Sequence, residues 1–248
     1  DAAYNVVTSP APAIVVGGIF NGASASRNVA AGSIAAAFGS NLASRLVSAK
    51  DYPLLTLGGT TMQAGGRPAP LFMVSCSQVN LQIPWEAADQ ATLLVTTTAG
   101  GQTSTPEPAT LVTFAPGIFS INQAGTGQGA VEIAPTAQLA APSDAAGNHP
   151  VKKGEYIAIF GTGLGPVSNQ PATGAPARAV PLSSTTTLPT VTIGGTAALV
   201  TFSGLVPGLT GLYQVNALVP DAAPAGANVA LVISIGGVAS NTVTIAVQ

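Results

Sequence analysis

Charge is what this chain has least of. Only 6% of its 248 residues are Asp, Glu, Lys or Arg, against about 25% in ordinary globular proteins. Seven basic residues are too few to neutralise a run of phosphates, which excludes a nucleic-acid partner. Intrinsic disorder requires low hydrophobicity with high charge; here 47% of residues are hydrophobic. Cysteine occurs once, at Cys76, so there is no internal disulfide framework. Histidine also occurs once, at His149. Aromatics are 5%, leaving Ala and Val to supply most of the apolar content. A membrane-spanning helix needs about 20 unbroken apolar residues. The uncharged stretch 179–220 is interrupted every few residues by Pro, Gly, Ser or Thr, and no span is predicted.

Glycine (29) and proline (20) are plentiful. They separate short runs of β-formers, as all-β sandwiches do. Val191-Thr-Ile193, Ala230-Leu-Val-Ile-Ser-Ile235, Thr242-Val-Thr-Ile-Ala-Val247, Thr92-Leu-Leu-Val-Thr-Thr97 and Ile157-Ala-Ile-Phe160 read as strands. Residues 33–38 hold an Ala triplet that suits a helix, but the repeat described next makes them a strand. Ser, Thr, Asn and Gln replace Lys and Glu as the polar surface, which suits an extracellular setting. The opening Asp1-Ala-Ala-Tyr4 has neither Met nor a basic region and is expected to be a mature chain after signal-peptide removal. No Asn-x-Ser/Thr acceptor for N-glycosylation is present.

The chain contains an internal duplication. Gly32-Ser-Ile-Ala-Ala-Ala-Phe-Gly-Ser-Asn-Leu42 aligns with Gly154-Glu-Tyr-Ile-Ala-Ile-Phe-Gly-Thr-Gly-Leu164 at an offset of 122 residues. Leu57-Gly-Gly-Thr60 aligns with Ile193-Gly-Gly-Thr196, and Gln78-Val-Asn80 with Gln214-Val-Asn216, at an offset of 136. The difference places 14 extra residues in the second copy, as an enlarged Pro/Ser/Thr loop at 165–189. The Gly-Gly pairs suit two-residue hairpin turns, and alternation in Val79/Leu81/Ile83 turns one face inward. The expectation is all-β: two tandem immunoglobulin-like β-sandwich domains with a hinge between them. An N-terminal β-segment covers 1–19, the first sandwich 20–114, a connecting hairpin and loop 115–150, and the second sandwich 151–248.

Combined motifs carry a resemblance. Phe38-Gly-Ser-Asn-Leu42, Ala69-Pro-Leu-Phe72, Gln78-Val-Asn80 through Pro84-Trp85, Ala115-Pro-Gly-Ile-Phe119, Gly127-Gln-Gly-Ala130, Gly161-Thr-Gly-Leu-Gly165, Gly211-Leu-Tyr-Gln-Val-Asn216 and the ending Ser240–Gln248 are the residues concerned. Together they resemble the C-terminal domain repeated in many large secreted proteins of Solibacter and related Acidobacteria. Each half is also similar to an IPT/TIG-type immunoglobulin-like domain. The resemblance implies secretion and a β-sandwich, and supplies no activity and no catalytic residues. Cys76 departs from the family pattern, so a thiol role is not implied. The family domain ordinarily ends a longer protein; with about 19 residues before the match, a terminal sorting role for a larger cargo is the less natural expectation.

Residues 4–20 fall outside the repeat found by alignment. They hold Tyr4-Asn-Val-Val-Thr8 and Ala13-Ile-Val-Val16, and no charge follows Asp1. Tyr4, Val6, Val7, Ile14, Val15 and Val16 are the candidate assembly residues. Such a segment is expected to be buried as strand, either along the edge of its own first domain or added to a neighbouring subunit. Head-to-tail joining of that second kind makes open filaments.

Catalytic chemistry finds little support. Nucleophilic catalysis needs a base beside Ser or Cys; His149 lies in a polar loop and Cys76 just before a strand. Asp1, Asp51, Asp89, Asp144 and Asp221 stand in turn-like sequence, not in metal-ligand clusters. Glu132 and Glu155 are the carboxylates to consider for glycosidase chemistry, without an aromatic-rich cleft in view. The clusters Gly125–Gly129 and Gly161–Gly165 open no helix, so they are turns and not phosphate loops. Trp85 and Tyr213 suit core packing better than a sugar platform. No catalytic, cofactor or metal site is expected. The reading is a non-enzymatic extracellular structural protein that self-assembles into filaments or a surface layer by donor-strand exchange. The alternative is a cell-surface adhesin or carbohydrate-binding module, which requires an exposed aromatic cluster.

Overall fold

The computed structural model describes residues 10–248. Its described residues are almost entirely strand and turn, with one short 3-10 turn at Trp85–Ala87. The first sandwich is built from β1 (Ala13–Asn21), β2 (Asn28–Val29), β3 (Ile34–Ser40), β4 (Val47–Ser48), β5 (Thr61–Ala64), β6 (Arg67–Ala69), β7 (Leu71–Val74), β8 (Gln78–Gln82), β9 (Thr92–Ala99), β10 (Gln102–Thr103) and β11 (Glu107–Leu111). The second contains β12 (Gly117–Ile118), β13 (Val131–Ile133), β14 (Gln138–Leu139), β15 (Tyr156–Thr162), β16 (Thr190–Ile193), β17 (Thr196–Leu205), β18 (Tyr213–Leu218), β19 (Gly226–Ile235), β20 (Val238–Ala239) and β21 (Val243–Val247). The expected all-β tandem sandwich is therefore what the chain forms.

In the first sandwich one sheet runs β1-β3-β8-β7-β4 and the facing one β2-β11-β9-β5-β6, with β10 beside β9. In the second, one continuous path runs β14-β13-β15-β18-β17-β16-β19-β20, with β12 beside β15 and β21 beside β19. Strand β17 makes this possible. Its start pairs with β16 and its remainder with β18, so one strand serves both layers. Alternation decides what lies inside. Val79 and Leu81 of β8 and Val215 and Ala217 of β18 are fully buried, as period-two patterning requires.

The duplication is visible in register. Phe38 faces Gln78 and Ala36 faces Asn80; at the equivalent places Phe160 faces Gln214 and Ala158 faces Asn216. The Gly58-Gly59 and Gly194-Gly195 turns have φ of +58° and +82°, and +58° and +81°. Both positions of a type I′ hairpin turn need φ > 0, which Gly adopts without steric cost. The same turn recurs at Gly100-Gly101 and Gly236-Gly237, so the offset of 136 holds through β9/β19 and β11/β21.

Two expectations need correction. The segment before residue 20 is part of the repeat. Ala13 and Ile14 face Ser40 and Gly39, as Gly117 and Ile118 face Thr162 and Gly161. Ile19, Phe20 and Asn21 face Ala37, Ala36 and Ala35, as Val131, Glu132 and Ile133 face Ile159, Ala158 and Ile157. The sequence marker is Ala11-Pro-Ala-Ile14 against Ala115-Pro-Gly-Ile118. So β1 corresponds to β12 plus β13, and the boundary expected between 19 and 20 cuts through a strand. Equally, 115–150 is not a separate connector: it supplies β12, β13 and β14 to the second sandwich. Where β1 makes a bulge of residues 15–18, the second copy expands into the excursion 119–130.

The expected hinge is instead a bonded junction. The Ile34 N–H donates to the Thr162 hydroxyl (2.9 Å), which donates to the Gly211 carbonyl (3.0 Å). The Asn21 amide donates to the Ala115 carbonyl (2.8 Å), and the Gly174 N–H to the Gln82 side-chain carbonyl (2.7 Å). Thr162 and Gln82 are both buried, where an unpaired partner is costly. Thr162→Val keeps the shape but strands the Ile34 donor and the Gly211 acceptor. Urea denaturation is expected to show a loss of about 1–3 kcal/mol; an unchanged midpoint would remove the junction from the stability of the chain.

Candidate functional site

Of the candidate assembly residues, Tyr4, Val6 and Val7 lie outside the described residues. Ile14, Val15 and Val16 lie on β1. Ile14 pairs with Gly39 of its own chain and is 8% exposed, committed to its own core. Val15 and Val16 fall in the β1 bulge and are 52% and 91% exposed. Intramolecular pairing therefore claims β1, and what remains for a neighbour is the chain upstream of it. The bulge is anchored by the Gly17 N–H donating to the Glu107 carboxylate (2.6 Å).

Beside β1 the outward face of β1, β3 and β8 forms a cleft of about 480 Å³. This falls within the ~300–1,000 Å³ common for ligand sites. Phe20, Phe38 and Phe119 give it aromatic walls, Ile34 and Ala36 its floor, and Gln78 and Asn80 its polar side; no charged side chain lines it. Phe20 and Phe38 meet edge to face with centroids 5.7 Å apart, a favoured aromatic geometry. The Arg27 guanidinium lies 5.7 Å from the Phe20 ring centroid, within cation–π range. The Gln78 side-chain amide donates to Asn80 Oδ1 (2.8 Å). Among the described residues the Gln78 oxygen and the Asn80 amide nitrogen have no other partner, and both residues are half-buried.

Local rules explain the placement. Ala35 and Ala37 turn inward on β3, so Ala36 and Phe38 turn outward. Gln78 and Asn80 face them from β8. Phe119, Ser120 and Gln123, which close one end, belong to the excursion 119–130. The cluster was missed in the sequence because its three phenylalanines are far apart in the chain. The available signal was the shared outward face of Phe38, Gln78 and Asn80.

The remaining candidates disperse. A ring nitrogen of His149 lies 2.9 Å from the Pro150 carbonyl and its backbone bridges Ala140; exposed Cys76 lies in the β7–β8 turn of the other sandwich. Glu155 accepts from the Lys152 N–H (2.9 Å), capping a turn, while Glu132 sits mid-strand on β13. Asp144 accepts from the side-chain amide of Asn148 (2.7 Å) and from the Ala146 N–H (2.9 Å). The Asn148 amide and neighbouring backbone donors hold its carboxyl below the usual value. Among the described residues no group of three or more His, Cys, Asp or Glu is placed to hold a metal ion. Trp85 and Tyr213 are buried in the second sandwich's core. The Tyr213 hydroxyl donates to the Gly165 carbonyl (2.5 Å), and burial pushes its ionisation far above the usual phenol range. Among the described residues no helix is long and apolar enough to cross a membrane.

No protein-family model matches the chain, and no curated protein matches it. Among solved structures it is similar to the Bacteroides ovatus mixed-linkage glucan utilization locus protein SGBP-B in complex with a mixed-linkage heptasaccharide, at 12% identity and TM-score 0.36, over 98% of this chain and 48% of that one. It is similar to the Plexin A4 extracellular region at 8% identity and TM-score 0.28, over 96% of this chain and 16% of that one. It is also similar to the I9–I11 tandem from titin at 10% identity and TM-score 0.22, over 96% and 64%. The chain spans less than two thirds of the length of each, and none of these likenesses bears on what it does.

Proposed function

We propose that the chain is a non-enzymatic, extracellular structural subunit that joins copies of itself through β-strand contacts made by its N-terminal segment. The observation that carries this reading is a nearly chargeless exterior with large apolar side chains left in the open. Leu46, Tyr52, Leu54 and Leu55 fall within ten residues of sequence, beside the exposed Arg45, Lys50 and Asp51, and are 49–69% exposed, and Val15 and Val16 stand out from β1. Large apolar side chains exposed in this number support a contact role for the exterior. With so few like charges, little repulsion opposes packing of one copy on another. The resemblance of the motifs to secreted acidobacterial domains supports the extracellular setting.

The test is a deletion whose endpoint the fold dictates. Removal of 1–19 would tear out Ile14 and Ile19, which are buried; removal of 1–9 stops before β1. The shortened chain is expected to stay a folded monomer with an unchanged circular dichroism spectrum, and to form no filaments or layers by negative-stain electron microscopy. Assembly of the shortened chain equal to that of the full chain would sink the reading.

A further inference from the structure

We propose that the cleft lined by Phe20, Phe38 and Phe119 is the acceptor for residues 4–8 of a second copy, taken up as an extended strand. This rests on the assembly reading above and names the surface that completes it.

Four observations point to this occupant. First, the chemistry matches. Tyr4-Asn-Val-Val-Thr8 carries an aromatic and two β-branched apolar residues and no charge, and the cleft offers aromatic walls and no charged lining. Secondly, Gln78 and Asn80 offer one acceptor and one donor that have no partner among the described residues, on side-chain amides already bonded to each other (2.8 Å). An extended peptide lying in the cleft presents backbone N–H and carbonyl groups that can take up both. The same amide pair recurs in the second copy, Gln214 donating to Asn216 (2.7 Å). Thirdly, the wall of 119–123 comes from one of the three places where the second copy outgrows the first. Another, 165–189, also faces the first sandwich, through the Trp85 N–H donating to Thr173 (3.0 Å). These two expansions are placed against the sandwich that holds the cleft, while the third, within 134–156, forms β14 and the loop before β15.

Fourthly, the chain's own course favours another copy. β1 begins beside Ser40 and runs to Asn21, where Phe119 and Ser120 close the cleft. The upstream chain thus meets the sheet at the end away from Asn21 and Phe119. Pro10 and Pro12 bias the residues before them to extended backbone, which opposes a reversal onto the same face. Arg27 stands against Phe20 at the rim, and Asp1 is the one charge upstream of it in the sequence.

Disulfide trapping in the full chain tests this, in a Cys76→Ser background. Ala36→Cys is combined with Val6→Cys or with Val7→Cys, because alternate strand residues face opposite sides. Mild oxidation is expected to give a ladder of covalent multimers on a non-reducing gel for one of the two pairs, and no species beyond dimer for any single-cysteine variant. A fast-migrating monomer instead of a ladder would mean that the segment fills its own cleft, overturning the proposal. Filaments without cross-links in either pair would place the acceptor elsewhere, leaving the assembly reading intact. Absence of assembly in the unsubstituted chain would overturn both. In the same series Phe38→Asp, at a residue exposed in the free chain, is expected to raise the concentration needed for assembly at least tenfold without changing the circular dichroism spectrum. An unchanged assembly concentration with Phe38→Asp would also count against the cleft.

Discussion

Trp85→Ala is expected to destabilise the chain by about 3–5 kcal/mol and to split one thermal unfolding transition into two. Trp85 belongs by sequence to the first copy, directly after β8 and Pro84. Its ring nevertheless packs in the core of the second sandwich, with Ile118, Leu164 and Tyr213 among that core's residues. It is 5% exposed. Its backbone N–H is held by Thr173, whose hydroxyl donates to Glu86 (2.7 Å). The side chain is thus a peg from one sandwich into the other, and truncation costs both the transfer of the ring and the cavity left behind. Against a typical total of ~5–15 kcal/mol, that uncouples the halves. Calorimetry is the measurement to use, since the substitution removes the chain's sole tryptophan and with it the fluorescence signal. Trp85→Phe separates ring volume from polarity. The indole nitrogen is buried without an acceptor among the described residues, so Phe forfeits packing but also removes an unpaired donor and is expected to cost less than Ala. A single transition in Trp85→Ala, at an unchanged temperature, would show that the peg does not couple the two sandwiches.

That peg illustrates where sequence reasoning reached and where it stopped. Periodicity exposes what repeats locally. The Gly-Gly turns, the Phe-Gly strand ends and the Gln-Val-Asn strands were legible because hairpin geometry and burial alternation act within a few residues. The start of each repeat was hidden, although Ala11-Pro-Ala-Ile14 and Ala115-Pro-Gly-Ile118 are nearly alike. A four-residue similarity is weak, and the excursion 119–130 changes the offset just after it. Only the pairing of Ile14 with Gly39 and of Ile118 with Gly161 makes the equivalence plain. The destination of Trp85 depends on 165–189, which has no period to read. The cleft needed tertiary placement too: alternation puts Phe38 outward, but nothing in the sequence brings Phe119 to it.

The glycine of the Phe-Gly-(Ser/Thr) motif separates the two repeats experimentally. In each copy the opening strand lies so close to this residue that a side chain does not fit. A Cβ at Gly39 would overlap the Ala13 carbonyl oxygen, and one at Gly161 would lie 2.5 Å from the Gly117 carbonyl oxygen. The same substitution should have different consequences. In Gly39→Ala, β1 meets the obstruction near its upstream end, where the Asn41 side-chain amide donates to the Ala11 carbonyl in a long, exposed bond of 3.4 Å. Ala13 and Ile14 can peel from β3 while Ile19–Asn21 stay paired. The expected result is faster amide exchange at residues 11–14 and a loss of about 1 kcal/mol, at the low end for overpacking. Assembly should fail, because the upstream segment loses the strand that aims it. In Gly161→Ala the opposing strand cannot peel. β12 is fixed upstream by the Ala115 N–H donating to the Gly163 carbonyl (2.9 Å). Downstream the Asn241 side chain accepts from the Ile118 N–H (2.8 Å) and donates to the Ile118 carbonyl (2.9 Å). Strain that finds no local outlet is carried by the junction, and the expected loss is about 3 kcal/mol, seen as a lower unfolding temperature for the whole chain. Equal losses in the two variants, with equal exchange at residues 11–14, would mean that β1 is held as firmly as β12. The upstream segment would then not depend on a separable first strand.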